Sequence, residues 1–104
     1  MLEADIFRAL ADPTRRAVYE RLALREMSVS ELKAGFAVSQ PAISQHLAAL
    51  RGAGLVRERR DGRHAYYRVD PDGLAPLVNW IDRYRNFWPE RIEKLKDVLK
   101  RMDP

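Results

Sequence analysis

The sequence contains no cysteine. That removes disulfides, thiolate metal sites, cysteine nucleophiles and thiol redox sensing. Histidine is also scarce, with only His46 and His64, so a histidine-rich metal site is hard to build. Nucleotide-binding glycine motifs and the paired-histidine motif of zinc hydrolases are missing, and no titratable cluster has catalytic spacing, so an enzyme is not expected. No apolar run approaches the ~20 residues of a membrane span. The start, MLEADIFRAL, lacks the basic opening and apolar middle of a signal peptide, so a cytoplasmic protein with no membrane partner is expected.

What is present is one soluble domain's worth of chain. The 104 residues are 46% hydrophobic and 33% charged, which suits a single globular domain over residues 1–104. The net charge is +4 and it is unevenly placed. Residues 51–68 hold Arg51, Arg57, Arg59, Arg60, Arg63 and Arg68 against Glu58 and Asp61. This short stretch therefore carries a charge equal to that of the whole chain. A concentrated basic segment suits a polyanion, although a solvated face would look the same. Arginine's planar fork further suits phosphate and guanine edges.

Local signals order the chain. Leu2, Ile6 and Leu10 share one face of a first helix. Asp12-Pro13 caps and restarts a second helix that runs to about Ala23, with Val18, Leu22 and Tyr19 inward. Ser28 and Glu31 form a capping box at the head of a short third helix that carries Leu32 and ends near Gly35. Ser39 caps a fourth helix, whose inward residues are Ile43, Leu47 and Leu50. A short capped helix, a turn and a longer capped helix make a helix-turn-helix over about residues 28–53. A strand from Leu55 to Arg60, a two-residue Asp61-Gly62 turn and a return strand from Arg63 to Asp70 add a hairpin over about 55–70. The fold class predicted is mainly α with a β-hairpin wing, a winged helix-turn-helix.

Beyond Pro71-Asp72-Gly73 the chain reads as helical over about 72–102, with Pro89 kinking the helix or starting a new one. Apolar residues Leu74, Leu77, Val78, Ile81, Tyr84, Trp88, Ile92, Leu95, Leu99 and Met102 step by three or four. Trp80, Tyr84, Phe87 and Trp88 fall within nine residues. So much apolar surface after a complete small core suits a partner subunit, although a helix folded onto its own domain would show the same pattern.

The segments IFRALADPTRRAVYERL, SVSEL, SQPAISQHLAALRGAGLV and RRDGRHAYYRV, in this order and spacing over about residues 5–70, resemble the ArsR/SmtB family of bacterial winged-helix repressors. The tail containing RNFWPERIEKL is similar to a cysteine-free subgroup of that family. The resemblance implies a homodimeric, DNA-binding transcriptional regulator, usually a repressor, paired through its first and last helices. The interface residues expected are Leu2, Ile6, Leu10, Leu77, Trp80, Ile81, Tyr84, Trp88, Ile92 and Leu95. Where metal-sensing members carry a Cys-x-Cys pair, this chain has Ser28 and Ser30, and hydroxyls are poor ligands for soft metals. Members that sense metal on the last helix use Asp and His pairs, but residues 74–102 contain no histidine. Neither a metal nor another cofactor is expected. An inducer, if there is one, would be a protein or a small apolar ligand near Trp80, Tyr84, Phe87 and Trp88.

The fourth helix is expected in the major groove, with Gln40, Pro41, Ser44 and Gln45 toward the bases. Ser39 caps the end where a phosphate is favoured. His46 is placed to bond a phosphate or to tie the helix to its neighbour. Arg59, Arg60, Arg63 and His64 surround the hairpin turn, suited to a minor groove or flanking phosphates, with Arg63 the leading candidate. Arg57 and Arg68 lie farther back, to pair with Glu58 or face solvent. Arg15 reaches a phosphate or makes a structural pair. Double-stranded DNA is thus the expected partner. The competing reading is a protein-interaction module that uses its aromatic last helix, for which an arginine-rich turn has no purpose.

Overall fold

A computed structural model describes residues 3–85 and 89–102. Its elements run α1 (Glu3–Ala11), α2 (Pro13–Leu24), β1 (Met27–Ser28), α3 (Val29–Ala34), α4 (Gln40–Gly52), β2 (Val56–Asp61), β3 (His64–Val69), α5 (Ala75–Tyr84) and α6 (Pro89–Met102). The class is mainly α with one small antiparallel sheet. Pro89 is the first residue of a new helix, a position where its missing N–H costs no helical bond.

Each expected cap is present. Asp12 Oδ1 accepts from the Arg15 N–H at 2.9 Å and opens α2. Ser28 Oγ accepts from the Glu31 N–H at 3.2 Å while Glu31 accepts from the Ser28 N–H at 3.1 Å, a closed capping box on α3. Ser39 Oγ accepts from the Ala42 N–H at 3.2 Å and opens α4. At the far end of α4 the Leu55 N–H returns to the Leu50 carbonyl and the Gly54 N–H to that of Arg51. Gly54 takes φ 76°, which turns the chain from α4 into the sheet. Gly54 therefore closes the helix.

One core holds these elements. Ile6 and Ala9 of α1, Val18 and Leu22 of α2, Leu32 of α3, and Ile43, Leu47 and Leu50 of α4 meet Met27, Leu55 and Val56. Tyr19, Tyr67 and Val69 pack against its edge. The α4 set recurs at spacings of four and three, so the opposite face of that helix is left to solvent.

The sheet differs from expectation in two ways. It has three strands, in the order β1-β3-β2. The two residues of β1 pair Met27 with Tyr67 and Ser28 with Tyr66. A two-residue strand has no alternation to detect, and Ser28 also serves as a cap. Second, Asp61 pairs with His64, so the hairpin loop is Gly62-Arg63 and not Asp61-Gly62. Gly62 has φ 62° and no non-glycine residue among those described has positive φ. A left-handed residue only at the first loop position is the pattern of a II′ turn. The shift places Arg63 at the tip itself.

Candidate nucleic-acid interface

The exposed face of α4 starts at its capped end. Ser39, Gln40, Pro41, Ser44 and Gln45 are all exposed, because Ile43, Leu47 and Leu50 direct the opposite face inward. The amide and hydroxyl groups on this face match base edges, and the helix N-terminus carries partial positive charge. His46 has a different place. It is half-buried, and its Nδ1 accepts from Arg15 Nε at 3.4 Å. Arg15 Nη1 also donates to the Ala9 carbonyl at 3.4 Å. Of the two roles open to His46 and Arg15, the structure displays the brace that ties α4 to α2 and α1. Asp12 stands beside them. The backbone N–H of Arg15, with smaller help from the His46 and Arg15 charges, holds its carboxyl below the usual range.

The wing arginines divide by partner. Arg59 Nη2 donates to Glu26 Oε1 at 2.6 Å, and its guanidinium stacks over Tyr66 at 4.7 Å. Arg60 Nε donates to Glu58 Oε1 at 2.7 Å. Arg57 pairs with Asp70 at 3.0 Å and not with Glu58. Arg59 and Arg60 are thus each engaged by a carboxylate of the same chain. Arg63 is exposed at the tip and has no charged partner among the described residues. His64 is exposed beside it, with its ring 6.2 Å from that of Tyr66.

The tip closes on the helix-turn-helix. Arg63 and His64 line a cleft of about 210 Å³ with Gln40 at the head of α4 and with Ser28 and Ser30 at the head of α3. Gln40, Arg63 and His64, distant in sequence, thus border one depression. Ser30 was not among the expected site residues. The only signal for it was its place two residues after the capping serine.

The expected interface residues scatter. Ile6 is 0% exposed and belongs to the chain's own core, because α1 lies between the core and α5 and has apolar residues on both sides. Leu10 and Leu77 pack on the core edge. Trp80 is half-buried, with Phe7 set edge-on to its ring at 5.3 Å and Tyr84 at 4.9 Å. Ile81 is 51% exposed and Leu95 58%, with Val78, Val98 and Leu99 also open. Leu2 and Trp88, and the side chain of Ile92, lie outside the described residues. Phe7, 45% exposed, was missed because it falls off the Leu2-Ile6-Leu10 stripe. An Arg83–Glu3 bridge of 2.7 Å ties α5 to α1.

Ser28 Oγ is committed to the Glu31 N–H, and among the described residues no group of three His, Cys, Asp or Glu comes together. No described helix is long and apolar enough to cross a membrane.

Comparison with known proteins agrees with this geometry. A helix-turn-helix domain family matches residues 10–59. An HTH-type transcriptional regulator of Mycobacterium tuberculosis is 49% identical over 78 residues, 75% of this chain and 73% of the relative. The arsenical resistance operon repressor of Escherichia coli is 34% identical over 98% of this chain and 86% of its own length. A crystal structure of a possible transcriptional regulator for arsenical resistance superposes with a TM-score of 0.72 at 44% identity, covering 89% of this chain and 94% of the other.

Proposed function

The chain belongs to the ArsR/SmtB family of winged helix-turn-helix transcriptional regulators, and on that premise we propose that it is a homodimeric repressor of the bacterial cytoplasm that binds an inverted-repeat operator. Residues 1–104 act as one domain. In each protomer Gln40, Pro41, Ser44 and Gln45 face the bases of a major groove, and Ser39 presents the helix end to a phosphate. Arg63 and His64 carry the wing onto the adjacent minor groove or its phosphates. Arg59 and Arg60 contribute mainly to the shape of the wing, and His46 braces α4. The observation that carries this reading is the single cleft bordered by Gln40, Arg63 and His64, which makes the head of α4 and the wing tip one surface. An interaction module would not need a free guanidinium there.

The two protomers pair through α1, α5 and α6, whose apolar residues Phe7, Ile81 and Leu95 face solvent in the single chain. Two-fold symmetry then sets the two α4 helices about 34 Å apart, one turn of DNA. Repression follows from occupancy of a promoter and needs no bound metal. In support, the chain has no cysteine and Ser28 is occupied as a cap.

Arg63→Ala tests the wing. Affinity for any DNA should fall, and the dependence of log K on log salt should become shallower by about 0.9 per protomer. An unchanged slope removes Arg63 from the contact.

A further inference from the structure

The side of the wing facing the core carries a polar cluster that the proposed contacts do not use. The Glu58 carboxylate, only 11% exposed, accepts three donors from three elements. Arg51 Nη1, from the last turn of α4, reaches Oε2 at 2.7 Å. The Tyr67 hydroxyl of β3 donates to the same oxygen at 3.2 Å. Arg60 Nε, two residues along β2, donates to Oε1 at 2.7 Å. The Arg60 hydrogen bond, followed by those of Tyr67 and the charge of Arg51, keeps the carboxyl below its ordinary range, so Glu58 is ionised at neutral pH. Both guanidiniums remain largely open to solvent on their other edges, at 60% and 72% exposure.

The cluster borders the DNA-facing side. A second cleft, of about 480 Å³, runs between α4 and the sheet and is lined by Ser44, Ala48, Arg51, Gly52 and Tyr67. Ser44 is one of the proposed base-facing residues. A DNA strand lying between the recognition helix and the wing would pass along this cleft and come within reach of Arg51. A guanidinium free to turn there would grip phosphate on any sequence, and phosphate contacts carry no sequence information of their own. One carboxylate between two guanidiniums also lowers the local charge from two to one. In addition, Glu58 joins the end of α4 to β2, so it fixes the angle between the two elements that must engage a site together.

We propose that Glu58 is a specificity-determining residue: it withholds Arg51 and Arg60 from indiscriminate phosphate binding and locks the wing to the recognition helix. This inference rests on the DNA-binding reading above.

The test compares Glu58→Gln with the unaltered full-length dimer on its selected operator and on random duplex of equal length, over a salt series. Glutamine keeps the shape and removes the charge. The operator-to-random affinity ratio should fall at least about fivefold, as expected for one lost hydrogen-bonded tie. Binding to random DNA should tighten, with a salt slope steeper by about 0.9 per protomer for each guanidinium released. An unchanged ratio or an unchanged slope overturns the inference. A protein that prefers no sequence even before substitution sinks the DNA-binding reading instead, which keeps the two failures distinct. If Glu58→Gln does not fold, as judged by thermal melting, Arg51→Gln decides. Its random-DNA slope should equal that of the unaltered protein, because Arg51 is held on Glu58. A slope shallower by about 0.9 per protomer means that Arg51 already grips phosphate and refutes the proposal.

Discussion

Gln45 has an exposed side chain on the face of α4 opposite Ile43 and Leu47, one turn in from the capped end. A primary amide donates and accepts in one plane, which matches the edge of adenine, and it carries no charge with which to hold a phosphate. Its value must therefore depend on sequence. Gln45→Ala should weaken operator binding by about 1–3 kcal/mol and leave random DNA unaffected. Equal losses on both, measured by fluorescence anisotropy, would mean that Gln45 reads no base. The arginines teach a complementary lesson. Six of them within residues 51–68 look alike as a charge run. Which of them are held depends on Glu26 and Asp70, distant in the chain, and on Glu58, next to Arg59 but facing the other side of the strand. That Arg63 alone among the wing-tip arginines has no counter-charge among the described residues follows from the fold and from no feature of composition.

At the scale of elements, stability at low pH should follow the caps. Asp12 is lowered from the ordinary 3.8 chiefly by the Arg15 N–H, and Glu31 from 4.5 chiefly by the Ser28 N–H and then by Arg25. A carboxyl with a lower value in the folded state contributes stability above its unfolded value and loses it as the pH falls through the folded one. The melting temperature should therefore hold near neutral pH and decline below about 4.5, continuing through 3.8 and lower. Asp12→Asn should reduce this dependence, because asparagine caps without titrating. A decline of equal steepness in the variant would remove Asp12 as a source. The caps were legible in the sequence because a cap is a local pattern of three or four residues. The three-stranded sheet was not, since β1 is defined only by its pairing with Tyr66 and Tyr67 some forty residues away. The hairpin was legible, but its loop was not, because Asp61-Gly62 and Gly62-Arg63 both supply a glycine and only the register between β2 and β3 chooses. Arg63 moved to the tip by that choice.

The whole molecule is extended for its size. Its radius of gyration is 16.9 Å, against about 13 Å for a compact chain of this length. The described part of α6 has no buried residue, and Leu95, Val98 and Leu99 lie open along it. Such a helix suits the proposed dimer better than a lone protomer. The sequence displayed this apolar surplus but not its division: Ile6 belongs to the inner side of α1 and Phe7 to the outer, a distinction set by the packing of α5. Ile81→Glu adds charge at an exposed position, so the protomer should still fold while the mass in solution drops from twice 12.1 kDa to that value, as read by analytical ultracentrifugation. A variant that stays dimeric would place the interface elsewhere. Monomers should also lose operator preference, because each presents one half-site.

Selection of bound sequences from a random duplex pool, with the full chain at near-physiological salt, tests the central claim most directly. Enrichment of an inverted repeat with half-sites about one helical turn apart is the result predicted for a dimeric, sequence-reading repressor. No enriched sequence, from protein shown to be folded and dimeric, would contradict it.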